Sequence, residues 1–181
     1  MAFWSTNDVE PKRNFRFQVQ ITGLTALGAP TDILWWAKTV TTPSFDVSEV
    51  EHNYLDNKYY FPGRVSWNEV SLTLVDPISV DAVKLTNKLL ETSGYTVKAD
   101  ETSLETISKK KATQTAIKGM KITVLDADGN DIETWTLNNP FIKSAKYGDL
   151  DYSNDELRTV ELSVRYDWAT CDNDETQFAP V

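Results

Sequence analysis

The sequence predicts a mainly β protein, a sandwich or barrel-like fold with one flanking α-helix and long extended arms. Three observations carry this. Several segments alternate apolar and polar residues with period two, the signature of half-buried strands. Gly, Pro, Asn and Asp punctuate these segments. Only one segment places apolar residues at helical spacing.

Residues 1–14 read as an N-terminal arm carrying Phe3 and Trp4. In 15–21 (FRFQVQI), Phe15, Phe17, Val19 and Ile21 alternate with Arg16, Gln18 and Gln20, which predicts a strand. Gly23 and Gly28-Ala29-Pro30 punctuate the turn after it. Residues 33–42 (ILWWAKTVTT) are rich in β-branched and aromatic types and predict a second strand, which Pro43 interrupts. The stretch 45–61 (FDVSEVEHNYLDNKYYF) is too polar to be buried on both faces. It predicts an extended arm or long hairpin that ends at Pro62-Gly63. Residues 69–75 alternate with Val70, Leu72 and Leu74 on one face.

Asp76-Pro77 then predicts a helix start, with Asp76 as cap and Pro77 in the first turn. Ile78, Ala82, Leu85 and Leu89 form one apolar stripe, and Gly94 suits its C-terminal end. Residues 96–116, polar and including Lys109-Lys110-Lys111, predict a loop with a mobile portion. Met120, Ile122 and Val124 mark a strand over 117–125, and the run Asp126 to Asp131 marks a hairpin turn. Strands are expected at 132–137 and 141–147, separated by Pro140, and an acidic turn at 149–156. In 157–168, Val160, Leu162, Val164, Tyr166 and Trp168 alternate with polar residues. The tail from 169–170 to 181 reads as a C-terminal arm, so the chain is expected to be a single domain with two arms.

The composition restricts function. The net charge of −9 repels phosphates, which argues against nucleic-acid affinity but not against proximity to DNA. A single cysteine, Cys171, excludes an intrachain disulfide. No apolar run reaches transmembrane length, and the N-terminal residues lack a signal-like apolar core, so synthesis in a reducing cytoplasm is expected. The sole histidine, His52, lies in the polar stretch with no nucleophile motif nearby, so it reads as an exposed or interface residue rather than a catalytic base. A pairing of His52 with a tail Cys171 is a poor nucleophilic site. The turn Asp126 to Asp131 resembles a calcium loop only superficially. Gly129 is fourth, where the helix-loop-helix loop needs glycine sixth, and Leu137 stands where it needs Glu. The cluster Asp149, Asp151, Asp155 and Glu156 reads as a solvated turn, and no nucleotide or zinc motif is present. No catalytic residue, cofactor or metal site is therefore expected. Tyr54, Tyr59, Tyr60 and Phe61, set among His52, Asn57, Lys58 and Arg64, look instead like a contact surface, because aromatics supply area at low entropic cost.

Two blocks resemble the tail tube protein of contractile-tailed, myovirus-type bacteriophages. The first is 58–76, with Lys58, Gly63, Trp67, the strand Val70-Ser71-Leu72-Thr73-Leu74, and Asp76. The second is 140–169, with Pro140, Gly148, Leu150, the turn Ser153-Asn154-Asp155-Glu156, and Tyr166-Asp167-Trp168. The extra length at both ends and around 94–116 departs from the family pattern. The resemblance implies hexameric rings that stack into a tube, inside a contractile sheath, in a virion tail built in the host cytoplasm. Its partners would be further copies of itself, the sheath, a baseplate or tube initiator, and a tail terminator, with DNA passing through the lumen unbound. On that reading His52, Tyr54, Asn57, Lys58, Tyr59, Tyr60, Phe61 and Arg64 form an inter-subunit interface, and Glu49 and Glu51 are candidates for an acidic lumen. The alternatives are a tube-initiator or baseplate homologue, a tube subunit of a related contractile injection system and, from other classes, a β-sandwich carbohydrate-binding module or a small hydrolase.

Overall fold

The computed structural model describes residues 11–29, 32, 34–79, 81–95, 106–153, 155–173 and 176–177. The expected arms 1–14 and 170–181 therefore lie partly outside the described residues, as does 96–105.

Among the described residues eleven strands form three antiparallel sheets. They are β1 Phe17–Thr22, β2 Ala37–Val40, β3 Phe45–Tyr54, β4 Asn57–Trp67, β5 Val70–Val75, β6 Gly119–Leu125, β7 Asp131–Asn138, β8 Phe141–Tyr147, β9 Thr159–Arg165, β10 Trp168–Asn173 and β11 Thr176–Gln177. One sheet has the order β1-β6-β7-β10-β11 and another the order β2-β5-β9-β8; β3 and β4 pair only with each other. The inward faces of the two larger sheets supply the core: Val19, Ile21, Met120, Ile122 and Leu137 from one, and Val70, Leu72, Leu74, Val160, Leu162 and Val164 from the other. These are the alternate residues of the period-two segments, so the mainly β sandwich follows from the pattern. Helix α1, Ala82–Thr92, closes the core with Ala82, Leu85 and Leu89.

Several expectations need correction. Phe15 lies outside β1 and is exposed. The second strand is confined to Ala37–Val40, because Trp35 and Trp36 sit in a turn with only Trp36 buried. Helix α1 starts five residues later than Pro77 suggests. Asp81 is its cap, accepting the Lys84 N–H at 2.8 Å, and Ile78 lies outside the helix, fully exposed. Asp76 still serves the helix, because its carboxylate accepts the Ala82 N–H at 2.9 Å. The end at Gly94 is as expected. Its φ is +105°, and a Cβ there would meet the Thr106 carbonyl oxygen at 2.7 Å.

Residues 109–116 are helical rather than loop. A short helix α2, Lys109–Lys111, is capped by Ser108 and runs into a π turn, Ala112–Ala116, that buries Ala112, Thr113 and Ala116. The last predicted strand breaks at Asp167, leaving Tyr166 buried and Trp168 exposed. What reads as a C-terminal arm returns as β10, paired with β7 through Trp168↔Asn138 to Asn173↔Glu133. A short polar strand beyond Asp167 carries little apolar signal of its own; its place comes from the β7 edge that it covers.

Candidate assembly surface

The segment 45–67 is one long hairpin. It does not end at Pro62-Gly63, which lie inside β4 with Pro62 opposite Glu49. The reversal is a two-residue turn, Leu55-Asp56, between the paired Tyr54 and Asn57, and Leu55 has φ +51°. No Gly or Asn marks that position, which is why the sequence conceals the turn. Near the base the register shifts between Val47 and Glu49. One residue of β3, Ser48, stands there opposite two of β4, Gly63 and Arg64, so β4 carries the bulge: Ser48 Oγ accepts the Arg64 N–H at 2.8 Å, and a Cβ on Gly63 would lie 2.4 Å from that Oγ. Gly63 is thus the residue that lets the two backbones approach at the bulge.

The base is fastened to the sandwich by aromatics and by one asparagine. Phe45 meets Trp67 edge-on at 5.3 Å, and Trp67 meets Tyr166 at 6.0 Å. The Asn68 side chain donates to Asp46 Oδ2 at 2.9 Å, and its N–H to the Ser44 carbonyl at 2.8 Å. Beyond that base every residue from Phe45 to Ser66 is exposed.

Register sorts these exposed residues into two faces, because directly paired residues share a face and successive ones alternate. Beyond the bulge one face carries Val50, His52 and Tyr54 from β3, with Asn57, Tyr59 and Phe61 from β4, and below it Asp46 and Ser66 lie on the same side. The other carries Glu49, Glu51 and Asn53, with Lys58, Tyr60 and Pro62, and below the bulge Phe45, Val47, Val65 and Trp67. The predicted contact residues are therefore divided. His52, Tyr54, Asn57, Tyr59 and Phe61 share one face; Lys58 and Tyr60 lie on the other with Glu49 and Glu51, and Arg64 sits in the bulge opposite Ser48. Sequence reading passed over the exposed apolar residues Phe45, Val47, Val50 and Val65. Phe45 and Val47 alternate in FDVSEVE, but Val50 is one residue out of phase with them and falls on the opposite face. Val50 and Tyr54 each keep 62% of their surface exposed, and Phe61 and Val65 each keep 56%. A two-stranded hairpin is marginal in water, and an apolar patch of this extent is unusual on a monomer.

The remaining candidates are dispersed. His52 is on the hairpin, whereas Cys171 is in the five-stranded sheet opposite Trp135. Burial, followed by the charge of Glu133, pushes the Cys171 thiol above its ordinary pKa, which disfavours the nucleophilic thiolate. Asp126 spends its carboxylate inside its own turn. It accepts the N–H groups of Asp128 and Asn130, each at 2.8 Å, and the Asn130 side chain at 2.9 Å. Those bonds, the Asn130 side chain foremost, hold its pKa below the ordinary value. Asp151 likewise accepts from the Ser153 N–H and hydroxyl. Among the described residues no three of His, Cys, Asp and Glu come together to hold a metal ion, and no helix is long and apolar enough to cross a membrane.

No family profile matches the chain, and no curated protein matches it in sequence. Solved structures do resemble it in fold. A chain of the anti-feeding prophage tube-terminating cap has a TM-score of 0.64 at 15% identity, covering 96% of this chain and 99% of that one. A chain of the anti-feeding prophage baseplate has a TM-score of 0.62 at 16% identity, covering 93% and 99%. A chain of the sheath–tube complex of the extracellular contractile injection system PVC has a TM-score of 0.60 at 13% identity, covering 90% and 92%. At such identities the likeness establishes a shared fold over nearly the full length of both chains.

Proposed function

We propose that this chain is a structural subunit of the tube of a contractile injection apparatus, acting through contacts rather than catalysis. The observation that carries the reading is the exposed face of the outer hairpin that carries Val50, Tyr54, Tyr59 and Phe61, on a fold shared with tube, cap and baseplate structures. Such a face needs a partner, and repeated copies of the same chain provide one. The open edges point the same way. β8 ends its sheet and both hairpin strands have a free side, so ring closure would pair backbone groups that otherwise invite aggregation.

Fold likenesses to chains of injection systems favour that setting over the tail of a virion; a tube initiator of the same fold is a variant of this reading. The sheath, the baseplate and a terminating cap are the partners that it implies. Electron microscopy of the purified protein across a concentration series is the test. Rings or stacked tubes are expected. A monodisperse monomer at every concentration, seen in parallel by sedimentation, would overturn the proposal.

A further inference from the structure

The turn between β6 and β7 is organised by Asp126. Its N–H donates to the Asn130 carbonyl at 3.0 Å, and its Oδ1 accepts the N–H groups of Asp128 and Asn130. Inside this loop stands Asp128-Gly129, the single Asp-Gly step of the sequence, which contains no Asn-Gly. We infer that Asp128 is a site of covalent self-modification, where the main chain isomerises to isoaspartate through a cyclic imide.

The chemistry needs only solvent water. The Gly129 nitrogen attacks Asp128 Cγ in its carboxylic acid form. A C–N bond forms, the nitrogen gives up its proton and water leaves, which closes a five-membered succinimide. Water then adds to one of the two imide carbonyls and breaks its bond to the nitrogen. Opening at Cγ restores aspartate. Opening at the main-chain carbonyl leaves the chain running through the side chain, one methylene longer. Nothing is oxidised or reduced, and the mass is unchanged.

Three observations select this position. The first is access to the nitrogen. A side chain on the following residue crowds the attack, and glycine has none. A Cβ built on Gly129 would find nothing within 4 Å, so no neighbour restores the crowding that glycine removes. The second is the carboxyl group. Asp128 is exposed, and its side chain makes no hydrogen bond or ion pair among the described residues. Its neighbours are held: Asp126 by the donors named above, and the Asn130 side chain by Asp126 Oδ2 at 2.9 Å. The third is location. Residues 127–130 are all exposed at a loop tip, so the peptide between Asp128 and Gly129 can rotate without moving the core.

The product would alter the turn. The extra methylene falls between the Asp128 and Asn130 N–H groups, which now meet one carboxylate oxygen. Isoaspartate would separate them and release the closing bond between Asp126 and Asn130.

The test is to hold the full-length folded protein at mildly acidic pH, digest it, and fragment the peptides by electron transfer, which distinguishes the two isomers. A synthetic peptide of residues 121–135 is aged beside it. Isoaspartate is expected at 128 ahead of every other aspartate, at a rate within several-fold of the peptide. Asp128→Glu, whose imide would need a six-membered ring, should show several-fold less, and so should Gly129→Ala. If the alanine strains the turn, the exposed glutamate variant carries the comparison alone. Amide exchange at residues 128 and 130 should quicken in step with conversion. A folded chain that stays unmodified while the peptide converts would overturn the inference, because the turn would then forbid ring closure. Conversion at other aspartates before 128 would overturn it as well.

Discussion

The Lys58 ammonium lies 3.0 Å from Glu51 Oε1, across the two strands of the long hairpin. Both side chains are exposed, so the pair adds little stability, ~0–1 kcal/mol. Its value is positional: a residue expected at a subunit contact and one expected in a lumen occupy the same face, the polar one. The outer hairpin, beyond the bulge, thus has a charged face and an aromatic one.

That division predicts different outcomes for neighbouring tyrosines. Tyr59→Ala combined with Phe61→Ala removes two aromatics from the apolar face and should abolish rings and tubes in electron micrographs. The melting temperature should stay near wild type, because neither residue is in the core. Tyr60→Ala, on the opposite face, should leave assembly largely intact. Equal effects from the two variants would remove the distinction between the faces.

Gly63→Ala should loosen the base of the hairpin. The new methyl would sit 2.4 Å from Ser48 Oγ and 3.0 Å from the Ser48 carbonyl oxygen, so the bulge must open. Amide hydrogen exchange across β3 and β4 should accelerate. In a Ser48→Ala background the Oγ clash is gone, so Gly63→Ala should cost less there. Strict additivity in the double-mutant cycle would show that the two residues are not coupled.

Asp81→Ala should destabilise the whole domain by about 1 kcal/mol, as loss of a helix cap does. Pro77→Ala should cost far less, because Pro77 precedes the helix and does not enter its first turn. Urea unfolding of the two variants side by side decides which residue starts the helix.

Stability should fall in acid. Asp167 accepts from Lys109 Nζ at 2.8 and 2.7 Å and from the Asn139 side chain at 2.9 Å, and these contacts hold its pKa below the ordinary 3.8. Glu69, bonded first by Lys143 and then by the Ser163 hydroxyl, is held below the ordinary 4.5. A depressed folded-state pKa means that the unfolded chain binds protons more readily. The contribution is therefore complete above those ordinary values and is lost as pH falls through the lower folded ones. Melting curves from neutral pH downward should show this, and Asp167→Asn with Glu69→Gln should flatten the dependence.

The sandwich and its core were readable because a strand buried on one face must alternate. Val19 and Ile21, Val70 to Leu74, and Val160 to Val164 declare themselves without knowledge of their partners. The exposure of Tyr54 to Phe61 was readable for the complementary reason: aromatics among so many polar residues had no place in a core. What sequence could not decide depends on partners distant in the chain. The Leu55-Asp56 turn is imposed by pairing on either side of it, against the preference of Leu for negative φ. The faces of the hairpin depend on the bulge where Ser48 meets Gly63, since one extra residue flips every side chain beyond it. β10 exists because β7 offers it an edge, and α1 starts at Asp81 because Leu85 and Leu89, once seated on the sheets, fix the register of the first turn. Local periodicity determined which residues seek burial, and tertiary pairing determined where the chain reverses and which side of the hairpin is left uncovered.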